Sequence, residues 1–115
     1  MIFHIVGRGE WDQAVSKGRY EPASVKIEGF MHCSTLAQLI ETGNRLYRGR
    51  SDLVVLCIDE ERIEFPVRRE APAQGSAQRF PHVYGPLGLE AITKVVDFPC
   101  EGDGSFRMPA ALNEA

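Results

Sequence analysis

The chain has 115 residues, of which 43% are apolar and 25% charged, with a formal net charge of −3. That length and balance fit one globular domain, burying roughly two-thirds of the surface its unfolded chain exposes. They exclude a broadly basic nucleic-acid binder, and no apolar run approaches the roughly 18 residues of a membrane span. Neither a nucleic-acid partner nor a membrane partner is therefore expected. Cys33, Cys57 and Cys100 are odd in number and widely spaced, with no CxxC pair. They predict reduced thiols, no structural zinc site and a cytoplasmic protein. The opening residues carry no basic region or cleavage site, so no secretory signal is expected.

Met1 to Val6 (MIFHIV) is a β-rich run. Alternation places Ile2, His4 and Val6 on one face and Phe3 and Ile5 on the other. Gly7-Arg8-Gly9 breaks the strand, and Glu10 to Lys17 follows as a short helix with Trp11, Ala14 and Val15 on one face. Gly18 is the helix stop. Tyr20 to Ser24 reads as extended, interrupted by Pro22, and Val25 to Glu28 as one helical turn or a loop. Phe30 to Ser34 is a second strand, with Phe30, His32 and Ser34 on one face and Met31 and Cys33 on the other. Ser34 or Thr35 caps a longer helix from about Leu36 to Tyr47, with Leu36, Leu39, Ile40, Gly43 and Tyr47 along its stripe.

Leu53 to Ile58 (LVVLCI) reads as a central strand buried on both faces. Asp59 to Glu61 is a solvated turn, Val67 to Glu70 a weak strand and Ala71 to Gln78 a flexible loop. Phe80 to Tyr84 and Ala91 to Phe98 are further strands, and after Pro99 periodicity is lost. The expected organisation is a single domain over residues 1–98 with a partly ordered or flexible tail over 99–115. The element order is β-α-β-α-β followed by strands. It predicts an α+β domain, with a small mixed or antiparallel sheet and two helices, rather than a doubly wound one.

His4 and His32 are the residues that stand out. Each lies in an apolar strand, where an imidazole without a partner costs about 1–3 kcal/mol. Two such strands point to a common cleft, although each histidine is equally readable as a satisfied core residue. Ser34 shares the face of His32 and suits a ribose or phosphate oxygen, or a helix cap. Cys33 points away from His32, which argues against a Cys–His nucleophile pair. His82 and Tyr84 share a face, and Tyr84 suits stacking on a base. Arg45, Arg48 and Arg50 gather at the end of the long helix, where they favour its dipole. They suit a pyrophosphate if that end meets the cleft. Glu70 is the candidate carboxylate for orienting a ribose or stabilising a cationic centre. The histidine spacings of 28 and 50 residues match no metal-ligand pattern, and no metal is expected.

Taken together, MIFHIV, Trp11, GFMHCST, NRLYRG, DLVVLCID and FPHVYGPLGLEAI resemble the bacterial domain-of-unknown-function family numbered 952, over about residues 1–98. The resemblance implies a fold similar to that of ADP-ribosyltransferases, a split α+β sheet around an NAD-binding cleft. His4 in its strand, and His32 with Ser34 ahead of a helix, are also similar to motifs of the RNA 2′-phosphotransferases. The first histidine there contacts the nicotinamide-side ribose and the second shares the cleft, which implies these roles for His4 and His32. The late glutamate of the toxin-type enzymes has no clear counterpart, and Glu70 is the candidate for it.

The expected catalytic set is thus His4, His32 and Glu70. Ser34, Arg45, His82 and Tyr84 are the expected binding set, with NAD or an ADP-ribose-like nucleotide as substrate and ribosyl or ADP-ribosyl transfer as the reaction. Two alternatives stay open. One is a non-catalytic module that binds a nucleotide or small metabolite, and the other is a protein-interaction domain whose histidines are structural.

Overall fold

The structure is a computed structural model and describes residues 1–71 and 78–112. Strand β1 spans Ile2–Gly7 and helix α1 spans Arg8–Lys17, ended by Gly18 in the left-handed region at φ 80°. Strand β2 is Arg19–Tyr20, helix α2 is Ala23–Glu28 and strand β3 is Met31–His32. Helix α3 runs over Leu36–Leu46, and strand β4 over Leu53–Ile58. Strands β5 (Val67–Glu70), β6 (Phe80–Val83), β7 (Leu87–Gly88) and β8 (Ile92–Asp97) complete the regular elements. The α+β class is as expected. Where two helices were expected there are three among the described residues, because α2 forms a full helix between Pro22 and Gly29. Among the described residues every strand pair is antiparallel.

The strands form two small sheets, ordered β1-β4-β8 and β3-β6-β5, with β2 and β7 as a separate pair. The period-2 alternation of β1 and β4 divides the interior in two. Ile2, Val6, Val54, Leu56 and Ile58 face Met31, Cys33, Val83 and Leu87, the layer between the two sheets. Phe3, Ile5, Leu53, Val55 and Cys57 face the opposite way, onto Leu39 of α3. Strand β4 is buried along its whole length, as its unbroken apolar run requires.

Helix α3 begins with a capping box. The Thr35 hydroxyl accepts from Gln38 N at 3.3 Å, and the Gln38 side chain accepts from Thr35 N at 3.0 Å. Gly43, in its second half, lets the helix sit close to two rings. A Cβ there would lie 3.1 Å from Phe98 and 3.3 Å from Phe106. Phe106 belongs to the segment expected to be a frayed tail. Its described residues are irregular apart from Ala110–Leu112, yet Phe106 and Leu112 are buried in the α3 core. On α1, Ala14 is buried and Trp11 half-buried, whereas Val15, expected on the same face, is 51% exposed. Most of the loop expected over Ala71 to Gln78, residues 72–77, lies outside the described residues. Among the described residues no helix is long and apolar enough to cross a membrane.

Candidate functional site

Among the described residues the two sheets are joined through the backbone at one place. Phe3 and Ser34 exchange backbone hydrogen bonds of 2.8 and 2.7 Å, an isolated antiparallel bridge between β1 and the segment after β3. Beyond that bridge a side chain makes the join. His4 Nδ1 lies 2.6 Å from the carbonyl oxygen of His32. A carbonyl only accepts, so Nδ1 carries the proton and Nε2 holds a lone pair. Nε2 in turn accepts from the Tyr20 hydroxyl at 2.7 Å. The tautomer of His4 is therefore fixed from both sides. Burial holds its pKa down to about 4, against a smaller opposing effect of the His32 carbonyl. The imidazole is neutral at physiological pH. Burial and the nearby Glu10 also push the Tyr20 phenol upward.

Around this join lies a cleft of about 350 Å³. Strand β1 supplies its floor through His4 and Val6. Tyr20 stands on one side, and Thr42, Arg45 and Tyr47 of the α3 end on another. His32, Ser34, Phe80 and His82 come from the second sheet. All three histidines, each in a strand, thus share one cleft, and Ser34 and Arg45 join them. Ser34 is buried and donates to Thr42 Oγ1 at 3.2 Å. The helix cap is Thr35. Cys33 faces the core on the side opposite His32, and burial raises its thiol pKa.

The arginine cluster separates into different roles. Arg50 lines the cleft but forms a two-pronged ion pair with Asp52 at 3.0 and 2.7 Å. Arg45 also lines the cleft and lies over the Phe80 ring at 5.9 Å, and it pairs with no carboxylate among the described residues. It is the guanidinium best placed for an anion. Arg48 does not line the cleft.

The second sheet carries an aromatic and acidic group. Phe30 stacks on His82 with centroids 4.2 Å apart and planes at 20°, and His32 meets His82 edge-on at 5.4 Å. His32 Nε2–H donates to Glu28 at 2.6 Å. His82 is buried, and its Nδ1 lies 2.9 Å from Glu70 Oε1, which the Tyr84 hydroxyl also reaches. Those two donors, Tyr84 first, hold the Glu70 carboxyl below the usual carboxylate range. Neither Glu70 nor Tyr84 lines the cleft. Glu70 reaches the cleft only through His82, and Tyr84 packs under Arg68 at 5.2 Å. Among the described residues the carboxylate that lines the cleft is Glu10, an exposed residue in the first turn of α1. Sequence reasoning passed over Glu10, Tyr20 and Tyr47 as cleft residues. A tyrosine after an extended pair and an acid in a first helical turn are both ordinary, and only the fold brings them beside His4. Among the described residues no three metal-binding side chains are placed to hold one metal ion.

An antiparallel α+β domain with a histidine-lined cleft at the junction of two sheets is the class these features define. The chain belongs to the family described as protein of unknown function (DUF952), whose model matches residues 5–95. It is similar to the protein CC0527 from Caulobacter crescentus, whose crystal structure shares 34% identity over 97% of each chain, with a TM-score of 0.84. The solution structure of the same protein matches at 33% identity and a TM-score of 0.74, over 99% of this chain and 95% of that one. No curated protein matches the chain.

Proposed function

We propose that the cleft binds the ADP-ribose part of NAD, or a related nucleotide, and supports ribosyl or ADP-ribosyl transfer. The reading is carried by one observation. A neutral histidine, locked at both nitrogens, stands in a cleft lined by the aromatic side chains of Tyr20, Tyr47 and Phe80 and by Arg45. Rings accept a base or nicotinamide, and a guanidinium accepts a phosphate with charge-assisted hydrogen bonds. Polar oxygens at Ser34, Thr42 and Tyr20 suit ribose hydroxyls.

His4 acts through Tyr20, because both of its own nitrogens are engaged within the protein. The volume of about 350 Å³ is at the small end of ligand pockets. It suits one nucleoside phosphate, with the rest of a dinucleotide lying along the rim. Transfer from C1″ develops an oxocarbenium-like centre, so the protein's work is positioning and charge stabilisation. Glu10 is the carboxylate available for that charge. A non-catalytic nucleotide-binding module is the second reading, favoured by the exposed position of Glu10, the one carboxylate that lines the cleft among the described residues.

Calorimetric titration of NAD, ADP-ribose and a 2′-phosphorylated nucleotide tests the proposal. Saturable binding is expected for at least one of them, weakened about tenfold or more by Arg45→Ala, which removes a charge-assisted phosphate contact. His32→Ala is expected to weaken it as well. A folded wild type that binds none of the three overturns the proposal. NAD consumption that is lost in His4→Ala would exclude the non-catalytic module.

A further inference from the structure

We infer that His82, backed by Glu70, is the proton acceptor of the cleft and takes the hydroxyl proton of the acceptor molecule; this rests on the nucleotide reading of the same site. Glu70 is ionised and accepts only, so the proton of the His82–Glu70 hydrogen bond sits on Nδ1 of the imidazole. That leaves Nε2 as a lone pair. It has no partner among the described residues, on a side chain that lines the cleft. An orienting carboxylate behind an imidazole, with the far nitrogen turned to the reacting group, is the arrangement by which enzymes use histidine as a general base.

The ring is held as well as oriented. Phe30 stacks on one face at 4.2 Å, and His32 of β3 approaches edge-on at 5.4 Å. Across β5 the register partner of His82 is Arg68, whose guanidinium lies over Tyr84. Tyr84 fixes Glu70 through its hydroxyl. The three side chains Phe30, Glu70 and Tyr84 thus hold His82 in place behind its single basic nitrogen.

The step balances as follows. The acceptor hydroxyl gives its proton to Nε2 while its oxygen bonds to C1″ of the nicotinamide-bearing ribose. The bond from C1″ to the nicotinamide nitrogen breaks, and its electron pair stays on that nitrogen, which neutralises the pyridinium. Glu70 remains ionised and offsets the new charge on the imidazolium, which then releases its proton to solvent. The acceptor class is a hydroxyl compound, with water the smallest member.

Two readouts test this. The first is NAD turnover by wild type, His82→Asn and Glu70→Gln, each first titrated with ADP-ribose. Both variants are expected to bind ADP-ribose within about threefold of wild type. His82→Asn should lose about a hundredfold or more in kcat, within the usual range for a general base. Glu70→Gln, a positioning variant on the partly exposed strand β5, should lose about tenfold in kcat with KM little changed. The second readout is the nitrogen spectrum of the histidine rings in the free protein. It should show His82 protonated at Nδ1 and bare at Nε2, with that preference relaxed in Glu70→Gln. A wild type that binds ADP-ribose while His82→Asn keeps wild-type turnover overturns the inference and leaves the binding site standing. A wild type that binds but turns over nothing does the same. A wild type that binds no nucleotide overturns the reading of the cleft, and the ring spectrum then decides alone. A proton on Nε2 overturns the inference, and a bare Nε2 sustains the basic nitrogen for a different hydroxyl ligand.

Discussion

Between pH 6.5 and about 4 the unfolded chain protonates His4 while the native cleft keeps it neutral. In that window the unfolded state binds more protons, so stability rises with pH. The His4 contribution is complete above the unfolded value and is lost as pH falls through the window. The shift corresponds to about 3 kcal/mol. The depressed carboxylates Asp52, Glu60 and Glu70 act in the same direction at lower pH. Urea unfolding from pH 7 to pH 4.5 should show this fall in wild type and a clearly flatter profile in His4→Gln. Equal slopes for the two proteins would refute the account of His4. The sequence pointed to His4 because an imidazole in an apolar strand needs a partner. It could not name the partners. Tyr20 and the His32 carbonyl lie 16 and 28 residues away, on β2 and β3, and only the fold sets both at hydrogen-bond distance from β1.

Among elements, legibility followed periodicity. Alternation in β1 assigned Ile2 and Val6 to one core and Phe3 and Ile5 to the other, as found. The stripe on α3 and the unbroken run of β4 were equally plain. Helix α2 was not, because it buries no residue and therefore leaves no apolar stripe to read. Pro22 before it and Gly29 after it are its only clear signals. The segment after Pro99 was obscure for a related reason. Phe106 enters the core from irregular chain, stacked on Phe98 at 4.6 Å with no periodic neighbours to announce it. Phe106→Ala is expected to cost about 3–5 kcal/mol in a urea or thermal unfolding experiment, as for other buried aromatic deletions. A loss below 1 kcal/mol would return this segment to the role of a loose tail.

At the scale of the molecule, the cleft exists because the two sheets are joined by one backbone bridge and then by a side chain. A continuous ladder between β1 and β3 would close the space that His4, Tyr20 and His82 now border. The sequence made a shared site for His4 and His32 legible, and offered Ser34, Arg45 and His82 for it. It placed Glu70 and Tyr84 in the same cleft, where the fold sets them behind His82. Alternation fixes which face a side chain takes, but not which of two neighbouring groups stands between the other and the cavity. The most direct test of the central claim is to follow backbone amide shifts during titration with ADP-ribose. The account predicts saturable changes concentrated at Tyr20, Ser34, Arg45, Tyr47 and His82, with Glu61 and Arg62, which do not line the cleft, unmoved. No saturable change, or changes centred away from these residues, would contradict it.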